Sequence, residues 1–216
     1  MSDPRTSRFF DGLAPSYDQD VVAVGWDPIA LLQEWPLIVP PGSMVLDVGC
    51  GTGAVLDWLA GADRQLVGMD WSSQMIQRCR RRGSLRESEF HVQSAASAWP
   101  IPDESVDVTV ALAMLEFVPD LDFVFDELVR VLRPWGKALV TVEDVADWAG
   151  QPHPKHELRY GEFPLWRRSL EDIELTIPPG LDVARVERRA GYTVLEEGFT
   201  CAYWVLELRR NDWYPN

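Results

Sequence analysis

The sequence predicts an α/β fold: a doubly wound, seven-stranded sheet with five parallel strands, a C-terminal antiparallel hairpin and an N-terminal helical cap. Three observations predict it. Between residues 44 and 143 short apolar runs alternate with helix-period segments, giving five strands separated by helices. Parallel strands need crossovers of a dozen or more residues, and such helices supply them. The first strand runs into V-L-D-V-G-C-G-T-G at 45–53, where glycine recurs at every second position. Near the end, T-V-L-E-E-G-F and A-Y-W-V-L-E-L meet at Thr200-Cys201, a spacing that predicts an antiparallel pair.

The elements follow in order. Residues 1–40 read as helical pieces of a cap, with Asp27 as an N-cap and Pro28 at the first helical position before I-A-L-L-Q-E-W. Pro40-Pro41-Gly42 forces a turn. M-V-L-D-V is a buried strand, A-V-L-D-W-L-A a helix ending near Gly61, and Q-L-V-G-M the second strand. Ser72 or Ser73 opens a helix through Q-M-I-Q-R-C-R-R-R that Gly83 stops. Phe90-His91-Val92 is the third strand, and V-D-V-T-V-A-L, apolar enough for burial on both faces, is the fourth. Asp120 caps a helix whose Leu121, Val124, Phe125, Leu128, Val131 and Leu132 share one face. Pro134 cannot continue it, and Pro134-Trp135-Gly136 reads as a type I turn into the fifth strand, K-A-L-V-T-V-E.

Residues 144–180 break the alternation. They carry Trp148, His153, His156, Tyr160, Phe163 and Trp166 among scattered prolines, without a clean period. An irregular insertion of that length predicts a substrate lid or binding loop. D-V-A-R-V-E-R-R-A, ended by Gly191, then reads as a short capped helix.

A chain of 216 residues is within the range of one domain, here 1–216, with length enough for a real core. The formal charge of −14 argues against a nucleic-acid partner, since phosphate neutralisation needs clustered Lys and Arg. Three cysteines without C-x-x-C spacing fit a reducing compartment. No apolar leader and no run of membrane-spanning length stands out, so a soluble, cytoplasmic protein without a membrane span is expected. Nothing in the sequence reports the oligomeric state.

In open α/β sheets ligands bind beyond the carboxyl ends of the strands. Gly49, Gly51 and Gly53 lie there, spaced G-x-G-x-G rather than the dinucleotide G-x-G-x-x-G. Asp47 stands just before them, where a pyrophosphate would be repelled and a cationic group welcomed. Asp70 ends the second strand, in the position that takes ribose hydroxyls, so a nucleoside with a cationic middle is the expected ligand.

These residues also carry a resemblance. V-L-D-V-G-C-G-T-G resembles motif I of the class I S-adenosylmethionine-dependent methyltransferases, a family with a Rossmann-like sheet. F-D-G-L-A-P-S-Y-D (10–18), W-P-I-P-D-E-S-V-D (99–107), M-L-E-F-V-P-D and L-V-R-V-L-R-P-W-G are similar, in the same order, to segments of its ubiquinone/menaquinone-type subgroup. The resemblance spans residues 9–143, with an echo in R-R-A-G-Y. It implies S-adenosylmethionine as cofactor, S-adenosylhomocysteine as product and methyl transfer to a small-molecule acceptor. It also implies site residues. Gly49, Gly51 and Gly53 would pack against the methionyl part and Asp47 would face its amino end. Asp70 would hold the ribose, and Trp71 and Ala96 would lie against the adenine. Ala111 would offer a carbonyl near the sulfonium, and Tyr17 would belong to the cap over the cofactor. Ala95 stands where the family usually has an acidic residue for the adenine amine, so a backbone group, Ser94 or Ser97 would substitute.

Methyl transfer from a sulfonium needs a base only when the acceptor holds its proton. Glu116, at a position often occupied by His in the family, is one candidate; Glu143, Asp144, His153 and His156 are others. His153 and His156 without a third ligand make a poor metal pair, and no metal is expected. With only two asparagines, the chain has no N-P-P-Y motif of DNA amino-methylation. Two other readings stay open: an inactive cofactor-fold module that regulates a partner, and a nicotinamide-dependent oxidoreductase, against which Asp47 and the glycine spacing count.

Overall fold

The computed structural model describes residues 3–35, 39–159 and 162–212; Tyr160 lies outside the described residues. Three short helices open the chain: α1 (Pro4–Leu13), α2 (Tyr17–Ala23) and α3 (Pro28–Glu34). The Asp27 carboxylate accepts from the N–H groups of Ile29 and Ala30, satisfying two donors that the first turn of α3 leaves unpaired.

The sheet then builds through β1 (Met44–Val48), α4 (Ala54–Leu59), β2 (Gln65–Asp70), α5 (Ser73–Cys79), β3 (Glu89–Val92), β4 (Val106–Ala111), α6 (Leu121–Val131) and β5 (Leu132–Glu143). β6 (His156–Arg159), β7 (Phe163–Trp166), α7 (Leu170–Glu174), β8 (Leu181–Val194) and β9 (Phe199–Arg210) follow. β6 and β7 form a separate hairpin, and the other seven strands share one sheet in the order β3-β2-β1-β4-β5-β9-β8. The first five are parallel, and β9 and β8 are antiparallel, as expected. Strand order reverses between β1 and β4, which leaves a crevice beyond their carboxyl ends.

Alternate strand residues feed two cores. Leu46, Val48 and Val140 pack under Val124, Phe125 and Leu128 of α6. Val45, Val108 and Leu139 pack on the opposite face with Leu56 of α4 and Ile76 of α5. Burial on both faces is what the near-continuous apolar runs require.

Four local expectations are corrected. Residues 182–190 are strand, not helix: β9 is apolar on both faces and needs a backbone partner on its open side, and β8 pairs with it from Leu181 to Val194. Gly191 is therefore no helix stop. A Cβ there would come within 2.5 Å of Cys201 Sγ and 2.7 Å of the Tyr203 ring, so glycine permits the close approach at a register shift. The hairpin turns between Val194 and Phe199, with Gly198 at φ +73°, and Thr200 and Cys201 lie inside β9. Trp135 has φ +67°, which a type I turn does not allow at that position; the turn is of the kind that prefers glycine there. Finally, residues 144–180 contain the β6–β7 hairpin and α7, whose Ser169 and Asp172 form a capping box.

Candidate active site

Three cavities of about 80, 590 and 230 Å³ open around the carboxyl ends of β1, β2 and β4. Tyr17 lines all three. The segment that brings Tyr17 there is tied down residue by residue. Asp11 accepts from the Ser72 hydroxyl at 2.6 Å and from the Gln74 N–H at 3.1 Å, fastening α1 to the start of α5. Ala14 is buried. Asp18 accepts from the Thr52 hydroxyl and pairs with Arg82 at 3.2 Å, fastening α2 over the glycine loop.

The smallest cavity is lined by Gly49, Gly51, Asp70, Trp71 and Ala95, among the residues the resemblance implied. Gln93 and Ser94 line it beside Ala95, whereas Ser97 is turned away, bonded to Gln93 and to the Ser94 carbonyl. Asp70 accepts from the Gly51 N–H at 2.9 Å on one oxygen and from the Ser72 N–H at 2.8 Å on the other. Each oxygen keeps a second lone pair, the acceptor capacity a vicinal diol needs. Burial pushes Asp70 up to about 6, against these two N–H groups, which pull it down.

Gly49 has φ +73°, and a Cβ on it would meet Met114 at 2.7 Å; Gly51 has φ +53° and faces the Tyr17 ring. Both conformations are left-handed, so the loop needs glycine on backbone grounds as well as for space. Gly53, at φ +85°, abuts Cys79 and Leu85 instead and does not line the cavities.

Asp47 lines the large cavity together with Gly49, Gly51 and Thr52. It is 4% exposed, and burial followed by repulsion from Asp70 pushes it up to about 8. A carboxylate so placed fits a ligand with a positive group and would repel a phosphate. A nucleoside joined to an ammonium and sulfonium therefore fits the two cavities.

The third cavity is walled by aromatic rings, including Phe9, Phe10, Trp26, Phe117 and Phe163, and its polar lining is Glu116, Arg159, Tyr192, Tyr17 and the half-buried Asp20. Phe163, brought in by β7, stacks at 4.5 Å on Phe9 and 5.7 Å from Phe117. Glu116 is 1% exposed; its Oε1 accepts from the Tyr203 hydroxyl at 2.6 Å, and its Oε2 has no hydrogen-bond partner among the described residues. Burial and the Glu143 carboxylate push Glu116 up to about 8, against the Tyr203 hydroxyl.

The remaining candidates lie elsewhere. Glu143 is fully buried and structural in its contacts, accepting from Arg159 at 3.0 Å, Arg167 at 2.7 Å and Tyr192 at 3.1 Å. Asp144 pairs with Arg188 at 2.7 Å. His153 stacks on Phe199 at 4.3 Å, and His156 is exposed against Trp166. Neither histidine lines the cavities, and no group of three metal-ligating side chains is gathered among the described residues. Ala96 and Ala111 pack in the core rather than on a cavity wall; Leu112 and Ala113, the next residues after β4, line the crevice. Sequence reasoning did not single out Met114, Arg159, Tyr192 or Tyr203. The aromatic residues of β8 and β9 hinted at Tyr192 and Tyr203 alone, and the pairing of those strands set where they point.

A methyltransferase-domain family model matches residues 46–140. The chain is 34% identical over 136 residues to a fatty-acid O-methyltransferase of Mycolicibacterium smegmatis, an alignment covering 62% of this chain and 44% of the relative. It is 28% identical to a ubiquinone biosynthesis O-methyltransferase of Xanthomonas oryzae pv. oryzae, covering 68% of this chain and 72% of that one. The chain thus spans less than half the length of the first of these relatives. An S-adenosylmethionine-dependent methyltransferase structure from Mesorhizobium loti superposes with a TM-score of 0.68 at 19% identity, covering 84% of this chain and 96% of that one.

Proposed function

Because the chain belongs to the class I S-adenosylmethionine-dependent methyltransferases, we propose that it methylates a small-molecule acceptor held in the aromatic chamber beside Tyr17. The observation that carries this reading is the junction itself. A cleft with a diol acceptor (Asp70) and a buried carboxyl (Asp47) opens, past one tyrosine, onto a separate apolar chamber.

The bound cofactor supplies a methyl group already activated on a sulfonium, so the protein's work is binding, orientation and exclusion of water. Asp70 would accept from the ribose hydroxyls, Trp71 and the 93–95 backbone would bound the adenine, and Asp47 would face the amino end. Gly49 and Gly51 let the backbone approach without side chains in the way. Tyr17, fastened by Asp11 and Asp18 on either side, would close the cofactor from above. The charge of −14 supports a small molecule rather than nucleic acid as acceptor. The odd cysteine count supports a reducing compartment, the cytoplasm.

Calorimetric titration with S-adenosylhomocysteine, with NADH in parallel and Asp70→Ala as control, tests the cofactor cleft. Micromolar binding of the first, lost in the variant, is expected. No binding of S-adenosylhomocysteine, or tight binding of NADH, would overturn the reading.

A further inference from the structure

Glu116 is an unusual side chain to wall an apolar chamber. Its Oε2 is buried and unpaired among the described residues, while Tyr203 holds Oε1 and so fixes the carboxyl plane. An unmatched buried acceptor costs free energy unless a ligand supplies the donor. The chamber of about 230 Å³ sets the ligand's size, since an apolar cavity of about 150 Å³ holds benzene. Two charged residues line the chamber with Glu116: Asp20, which accepts from the Ser16 hydroxyl at 2.6 Å, and Arg159, which is paired to Glu143 at 3.0 Å. Arg159 is the one that acts on Glu116, so it is the charge a ligand group beside Glu116 meets. A cationic amine would face that guanidinium, whereas a hydroxyl that gives up its proton would be favoured by it.

Building on the methyltransferase reading, we propose that the chamber takes a single-ring acceptor bearing a phenolic or enolic hydroxyl, and that Glu116 is the catalytic base for it, with Tyr203 as its positioning residue. The acceptor O–H donates to Oε2. Its proton passes to Oε2 as the O–H bond breaks, and the electron pair kept on the acceptor oxygen forms the O–CH3 bond as the sulfonium S–CH3 bond breaks, its pair leaving on the sulfur of S-adenosylhomocysteine. Glu116 then returns the proton to solvent.

The groups facing Glu116 set the pH at which it works. Tyr203 on β9 favours the carboxylate, and Glu143 on β5 opposes it. Arg159 on β6 favours it, and Arg168, beyond β7, is coupled to it in the same sense. Tyr17, Tyr192 and Cys201 stay protonated, since burial pushes all three up. A base held near 8 is well matched to a phenol of about 10, far better than an ordinary carboxylate.

The test compares wild type, Glu116→Gln and Tyr203→Phe on 4-methylphenol and on the far more acidic 4-nitrophenol, with S-adenosylhomocysteine binding measured on each protein. Wild-type kcat/KM for 4-methylphenol should rise with pH to a limb near 8. Tyr203→Phe should move that limb to higher pH. Glu116→Gln should lose about 100-fold or more on 4-methylphenol but less than about 10-fold on 4-nitrophenol, which needs no base. Its S-adenosylhomocysteine affinity should be unchanged. Without turnover, Leu13→Trp, at the chamber wall, should weaken calorimetric binding of 4-methylphenol to the S-adenosylhomocysteine complex.

Equal losses on both phenols would overturn the base assignment. No binding or turnover of either phenol by wild type that binds S-adenosylhomocysteine would overturn the acceptor class alone. Failure of wild type to bind S-adenosylhomocysteine would overturn the underlying methyltransferase reading, and this inference with it.

Discussion

Asp47 and Glu116 are both carboxyls removed from water, and their surroundings give them different uses. Asp47 stands near the end of β1, raised to about 8 by burial and by Asp70. At pH 7 it is therefore largely protonated in the free protein, and a bound ammonium would favour its ionised form. Cofactor binding at pH 7 should release a proton, detected as a dependence of the calorimetric heat on the buffer's ionisation enthalpy. Asp47→Asn should abolish the release. Trp135 offers a residue-scale test of a different kind. It is 59% exposed and held at φ +67°, so its ring contributes little burial while its backbone is strained. Trp135→Gly should raise stability by about 1 kcal/mol in urea unfolding.

Secondary-structure elements show where local preference and tertiary demand part company. Residues 182–190 are rich in Ala, Arg and Glu, good helix formers, yet they form the edge strand of the sheet. β9 supplies the backbone ladder, and charged side chains on β8 shield the open edge: Arg188 reaches Asp144, and Arg189 reaches Glu34. Gly191→Ala separates the two descriptions. At a helix end alanine would stabilise; in the strand its Cβ would collide with Cys201 and Tyr203, so a loss of about 1–3 kcal/mol is expected by thermal unfolding. The β6–β7 hairpin is likewise secured by contacts distant in sequence. Arg167 is buried, donating to Glu143 and Glu157 at 2.7 Å each. Arg167→Met leaves Glu143 with one cation fewer, and a loss of about 3 kcal/mol is expected in urea unfolding.

Across the whole molecule, the raised carboxyls couple stability to pH and to ligand. Asp47, Asp70 and Glu116 have folded values of about 8, 6 and 8, each above its unfolded value near 4. Each therefore stabilises the fold most below its unfolded value, and that contribution is lost as pH rises through the folded one. The Tm of the free protein should fall between pH 5 and pH 8 by calorimetry, and saturating S-adenosylhomocysteine should flatten the slope by favouring ionised Asp47. Below about pH 4 the sign reverses for Asp172, held near 2 chiefly by Lys155. A Tm that rises steadily from pH 5 to pH 8 would contradict the burial of these groups.

By itself the sequence determined what local chemistry controls. Alternating apolar runs specified five parallel strands, and Asp27 and Asp120 specified helix starts. The glycine spacing with Asp47 and Asp70 pointed to one edge of the sheet for the expected cofactor, because the carboxyl ends of the adjacent strands β1 and β2 carry those residues. Tertiary structure decided whatever depends on partners far along the chain. It made a strand of 182–190, drew Tyr17 over the glycine loop, and removed His153 and His156 from the cavities. It also joined Glu116 to Tyr203, 87 residues away, across the sheet. A residue's periodicity and capping are written in its neighbours, whereas a shared chamber exists only once α1, α2, β8 and the hairpin have been brought together.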